Sequence, residues 1–198
     1  MTRAVLALGS NLGDRLANLQ SAIDLLAERG VTVTAASCVW ETEPVPPGQP
    51  RYLNAVIAGE TDLSPRDLLR VAKEVEHLLG RRESPRWSPR PADVDILFYD
   101  DLVVDEPDLQ VPHLRIAERG FVLAPLAEVV QGLLPVLGQS AEVLLAVVGT
   151  VGLERTEWSL TCPGESAGLD PGVVVELLSA ANLDKPGPRG QDAGDAED

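Results

Sequence analysis

Twice along this chain an apolar stretch runs through a capped turn into a helical stripe and then into another strand, and that double strand-helix-strand order leaves few topologies open. RAVLALGS (Arg3 to Ser10) reads as a buried strand. Gly13-Asp14 then opens a helix with Leu16, Leu19, Ile23, Leu26 and Ala27 on one face, which Gly30 ends. VTVTAASCVWET (Val31 to Thr42) reads as one continuous second strand, followed by an extended, irregular loop EPVPPGQP. YLNAVIAGET (Tyr52 to Thr61) is a third strand. Ser64 caps a second helix with Pro65 in its first turn, and Leu68, Ala72, Val75 and Leu79 form its buried stripe up to Gly80. DVDILFYD supplies a fourth strand. The expected fold is α+β and ferredoxin-like, a mainly antiparallel sheet with helices on one face.

Beyond that frame, DLVVD reads as a short edge hairpin and GFVLAPLAEVV as a short helix broken at Pro125. Residues 1–160 are expected to form one domain. From about residue 161 the composition turns to Gly, Pro, Ala and acid, which reads as a mostly disordered tail with PGVVVELLSAANL (Pro171 to Leu183) as a marginal helix.

A chain of 198 residues that is 44% hydrophobic can bury a core without disulfides or metals to staple it. The absence of a leader-like or membrane-length apolar run gives the cytoplasm as the expected location. Cys38 and Cys162 lie far apart with no Cys or His grouping, so reduced thiols are expected. The net charge of −15 argues against general affinity for nucleic acid or anionic membrane. Against that acidic background Arg81, Arg82, Arg86 and Arg90 cluster within GRRESPRWSPR. That local reversal of sign suits a polyanion.

Directly after the cluster, Asp93 and Asp95 interrupt the apolar fourth strand. Side chains alternate along a strand, so Asp93, Asp95, Leu97 and Tyr99 are expected on one face, with Val94, Ile96 and Phe98 on the other, toward the core. Two like charges side by side are costly unless a cation lies between them, and oxygen ligands without His or Cys favour Mg²⁺ held jointly with substrate phosphates. The plainer alternative is that the pair merely neutralises Arg86 or Arg90.

The surrounding motifs carry a resemblance. LALGSNLGDR (Leu6 to Arg15), WETEPV (Trp40 to Val45), YLNAV (Tyr52 to Val56), the spacing from Lys73 to Arg81, RWSPRPADVDILFYD (Arg86 to Asp100) and VPHLRIAERGFVLAPLAEV (Val111 to Val129) occur in one order. Together they make the chain similar to the 6-hydroxymethyl-7,8-dihydropterin pyrophosphokinases of folate biosynthesis. The resemblance implies an ATP-dependent transferase that moves pyrophosphate to the pterin hydroxymethyl group and releases AMP. It implies two Mg²⁺ ions held by Asp93 and Asp95, with Arg81 and Arg90 stabilising the phosphates. It places Lys73, Glu76, Ile96, His113 and Arg119 on the ATP side, and Thr42, Val45, Tyr52, Asn54 and Phe121 around the pterin. Arg82, Arg86 and Trp87 fall where the family has a mobile lid. The expected partners are ATP and the pterin alone, bound by a monomer.

Other phosphate chemistries fit less well. Nucleotidyltransferases also combine Gly-Ser with Asp-x-Asp, but within a dozen or so residues, whereas Gly9-Ser10 lies far upstream of Asp93. GSNLGDR also lacks the Gly-Lys-Ser/Thr ending of a P-loop.

Overall fold

The computed structural model describes residues 1–44, 47–82, 85 and 88–163. Its elements in chain order are β1 (Thr2–Ser10), α1 (Arg15–Glu28), β2 (Val31–Ala36), β3 (Cys38–Thr42), β4 (Tyr52–Thr61), α2 (Pro65–Leu78) and β5 (Asp93–Tyr99). A hairpin of β6 (Val104–Glu106) and β7 (Leu109–Val111) follows, then α3 (Gly120–Val129), α4 (Ala141–Val148) and β8 (Leu153–Ser159). The sheet runs β5-β1-β4-β3-β8, with β2 also on β4, and its pairings are antiparallel. This is the expected ferredoxin-like arrangement, with β1 and β4 at its centre.

Local chemistry sets the helices. Asp14 accepts a hydrogen bond from the Ala17 amide at the start of α1, and Ser64 does the same for Asp67 in α2, satisfying donors a helix start leaves open. Both helices press their stripes onto one sheet face, where Leu6, Leu8, Leu53, Val94 and Ile96 meet Leu19, Ile23, Leu68 and Val75. Truncating such a buried leucine to alanine costs about 2–5 kcal/mol.

Helices cover the opposite face as well, contrary to the one-face expectation. There Val5, Val56, Leu97 and Phe98 pack with Val122, Leu123 and Leu126 of α3, and Leu144 and Leu145 of α4 add to the cluster. Pro125 does not break α3, which runs on to Val129. A proline forgoes one hydrogen bond, and the Val130 amide still reaches the Leu126 carbonyl at 2.9 Å.

Two strand readings are corrected by local irregularities. The segment from Val31 to Thr42 is two strands, because Ser37 breaks the ladder: its Oγ accepts from the Val56 amide at 3.0 Å and donates to the Cys38 carbonyl at 2.8 Å. In β5, Ile96 pairs with Leu6 and Phe98 with Val5, which leaves Leu97 as an extra, bulged residue. Alternation therefore resets. Phe98 joins Leu97 on the α3 side, while Tyr99 turns toward the α1 and α2 side and donates its hydroxyl to the Leu63 carbonyl at 2.6 Å.

The body also passes residue 160, since Leu160 and Cys162 are buried in the first core cluster. The tail reading, including Pro171 to Leu183, lies outside the described residues. Among the described residues, no helix is long and apolar enough to cross a membrane.

Candidate active site

The sheet face that α3 and α4 cover is covered only in part. Its open portion is a cleft of about 340 Å³. The floor is a row set by strand register: Gly9 of β1 pairs with Asn54 of β4 on one side and with Asp93 of β5 on the other. One step along, Ala7 pairs with Val56 and with Asp95. Strands lie about 4.8 Å apart, so Asn54 and Asp93 stand about 10 Å apart across the glycine. A Cβ on Gly9 would sit 3.3 Å from Asn54 Oδ1 and 3.8 Å from both Asp93 Cβ and Tyr52 Cδ1. Glycine keeps the floor open between the two ends.

At one end Asn54, almost fully buried, donates from Nδ2 to Thr42 Oγ1 at 2.7 Å. Tyr52 and Phe121 line the same cleft. The rim beyond Thr42 is fastened from the turn before β8, because the Glu43 amide donates to the Gly152 carbonyl at 3.1 Å. Arg15 and Arg51 both pair with Glu41, at 2.7 and 3.1 Å, and tie β3 to the loop before β4.

At the other end the charges gather. Asp93 Oδ1 accepts from Arg81 Nη1 at 2.7 Å and from Arg90 Nη1 at 3.2 Å. Asp95 lies 4.0 Å from Arg119 Nη1. Its pKa is raised, first by loss of hydration in the cleft and then by the neighbouring Asp93 charge, against the opposing pull of His113, Lys73 and Arg119. His113 is shifted the other way: burial lowers its pKa although Asp95 draws it up. The bulge at Leu97 helps to place that histidine, since the Leu97 carbonyl accepts from the His113 amide at 3.1 Å. The Arg119 guanidinium lies 5.7 Å from the centre of the Phe121 ring, within cation-π range.

Most sequence-predicted residues therefore line one cleft: Thr42, Tyr52, Asn54, Lys73, Arg81, Arg90, Asp93, Asp95, His113, Arg119 and Phe121. Two do not. Ile96 is packed into the core on the far side of the sheet, since alternation turns it away from Asp95, and Glu76 is buried behind β5. Arg82 is exposed and outside the lining. Val45, Arg86 and Trp87 lie outside the described residues. The structure adds Ala7, Gly9 and Glu43 to the wall. Outside the lining, Asn11 joins the site through Arg90, its Oδ1 accepting from the Arg90 amide at 2.8 Å. Small residues in a buried strand were the available signal for Ala7 and Gly9; nothing local marked Asn11.

The 7,8-dihydro-6-hydroxymethylpterin-pyrophosphokinase family profile matches residues 5–131. The chain belongs to this family. It is 42% identical over 159 residues to the 2-amino-4-hydroxy-6-hydroxymethyldihydropteridine pyrophosphokinase of Methylorubrum extorquens, covering 79% of this chain and 100% of that protein. It is 47% identical over 125 residues to the mitochondrial folate synthesis bifunctional protein of Arabidopsis thaliana, covering 63% of this chain but only 23% of that longer protein. A solved structure of wild-type HPPK-DHPS from Plasmodium falciparum with pteroate shares the fold, with a TM-score of 0.62 at 15% identity. That match covers 74% of this chain and 44% of the other.

Proposed function

We propose that this pyrophosphokinase-family chain transfers the β- and γ-phosphoryl groups of ATP together to the hydroxymethyl oxygen of 6-hydroxymethyl-7,8-dihydropterin. The observation that carries the reading is the Asn54-Gly9-Asp93 row, which sets a ring-recognising amide and a phosphate-facing charge cluster about 10 Å apart on one open floor. In the step, the hydroxymethyl oxygen bonds to the β-phosphorus and the bond from that phosphorus to the α,β-bridging oxygen breaks. AMP leaves with the bridging oxygen, and the hydroxyl proton is released.

Each group then has a task. Asn54 meets the amide-like edge of the pterin, with its Nδ2 steadied by Thr42, while Tyr52 and Phe121 offer ring surfaces. Arg81 and Arg90 present guanidinium donors to the transferring phosphates, where negative charge is redistributed in the transition state. His113, Lys73 and Arg119 line the Asp95 side, toward the rest of the nucleotide. Ile96 packs into the core behind the strand and Glu76 bonds to its free edge, so neither places a side chain in the cleft.

The donor set fits Mg²⁺. Two carboxylates project from alternate positions of β5 into the cleft, and the described residues contain no cluster of three acidic, His or Cys side chains that would form a closed protein cage. Two Mg²⁺ ions bound with ATP would neutralise phosphate charge and polarise the attacked phosphorus. Asp93 and Asp95 would hold them.

The test is the nucleotide product. Protein, Mg²⁺, ATP and the hydroxymethyl dihydropterin should yield AMP in step with pterin consumption; ADP, or no turnover, would overturn the reading.

A further inference from the structure

Glu76 is a buried carboxylate with cationic partners immediately behind the phosphate end of the cleft. Its side chain is only 3% exposed. One oxygen, Oε1, accepts from the Val94 amide and from Lys73 Nζ, both at 2.9 Å. The other, Oε2, lies 2.6 Å from Arg81 Nη1. Val94 is the residue between Asp93 and Asp95, so Glu76 holds the backbone of the carboxylate pair from the open edge of β5. Helix α2 carries Glu76 to this edge, and the Arg81 amide returns to the Glu76 carbonyl at 3.0 Å as the helix ends.

The decisive feature is that Arg81 Nη1 is shared. The same nitrogen lies 2.6 Å from Glu76 and 2.7 Å from Asp93. A guanidinium on Asp93 competes with any cation for that carboxylate, and Arg90 already adds a second. A second carboxylate on the helix side offsets part of the Arg81 charge and gives the side chain a fixed place whether or not Asp93 keeps it. We infer that Glu76 is a positioning residue that retains Arg81 while a divalent cation takes Asp93. The inference rests on the cation placement proposed above, and it gives Glu76 a role without contact to the nucleotide.

The geometry separates this role from plain structural support. Glu76→Gln preserves an oxygen for the Val94 amide and nearly the same volume but removes the charge. Arg81 then pairs with Asp93 alone, so cation binding at Asp93 and Asp95 weakens. Arg81→Ala does the reverse, because the competitor is gone. Interaction energies within one charge network correspond to changes on the order of tenfold.

The experiment is a titration of nucleotide-free protein with Mn²⁺ alone, read by electron paramagnetic resonance of the free ion. Glu76→Gln should raise the Mn²⁺ dissociation constant about tenfold, and Arg81→Ala should lower it below wild type. In the double variant the glutamine change should have no further effect. Equal weakening by glutamine with and without Arg81, or no weakening in either, would overturn the inference. Should the glutamine variant not fold, Arg81→Ala decides the matter, since unchanged or weaker Mn²⁺ binding contradicts competition at Asp93. AMP production by wild-type protein is read separately. A wild type that makes AMP while these affinities fail to move removes only the Glu76 role; a wild type that makes no AMP removes the function on which it rests.

Discussion

Asn11 clamps the Arg90 backbone on both sides of its Cα. The Arg90 amide donates to Asn11 Oδ1 at 2.8 Å, and the Asn11 amide donates to the Arg90 carbonyl at 3.1 Å. Asn11 is almost fully buried and also donates from Nδ2 to Gln49 Oε1 at 3.2 Å, so the segment after β1, the segment before β4 and the arginine before β5 meet at one side chain. Arg90, which faces the transferring phosphates in the proposed reaction, is thereby held by its backbone, leaving its guanidinium for the cleft and Asp93.

Asn11→Ala should accordingly lower kcat by about tenfold or more while leaving pterin affinity within about threefold, because positioning that matters in the transition state is lost. The orphaned Arg90 amide adds a stability cost of about 1–3 kcal/mol. Steady-state kinetics beside a denaturant titration separate the two effects. A kcat within twofold of wild type would show that the clamp does not serve the chemistry.

Gly9→Val should weaken binding at the pterin end and spare the nucleotide end. A bare Cβ already comes to 3.3 Å from Asn54 Oδ1, and two further methyl groups must enter the space over the floor. Overpacking of this kind costs about 1–3 kcal/mol, here paid largely as lost pterin affinity of roughly tenfold or more. Calorimetry with the pterin and with a non-hydrolysable ATP analogue should show the first falling and the second staying within about threefold. Equal losses would place Gly9 outside the proposed division of the cleft.

The pH dependence of stability should carry the signature of Asp95. Its pKa is raised in the folded protein, so between the ordinary aspartate value and the raised one the native state binds more protons than the unfolded chain. Stability contributed by this group is therefore lost as pH rises through that window. Asp95→Asn should flatten the slope and raise the melting temperature in Mg²⁺-free buffer at neutral pH, while abolishing turnover. A melting temperature below wild type at neutral pH, with an unchanged slope in acid, would contradict the assignment.

The frame of the fold was legible because the first two helices carry their own caps and stripes, and because β1, β4 and β5 are apolar runs bounded by turn residues. What escaped was set by contacts distant in sequence. Ser37 breaks its strand by bonding to Val56, and the bulge at Leu97 exists only against the register of β1. β8 went unread because it is an edge strand with mostly exposed side chains, pairing with β3 more than a hundred residues earlier. In the site, residues set off by charge or ring chemistry against an apolar strand could be read directly. Asn11 could not, since its partners come from Gln49 and Arg90. The resemblance implies Glu76 on the ATP side; only the fold shows it turned onto Val94.

In the proposed reaction two phosphoryl groups move together onto a pterin bound over Gly9. Parallel reactions with ATP labelled at the β-phosphorus and at the γ-phosphorus test it most directly, followed by separation of the pterin product. Both labels should appear on the pterin in equal amounts, with unlabelled AMP as the partner product. Only the γ label on the pterin, with the β label left on ADP, would show single phosphoryl transfer and contradict the account.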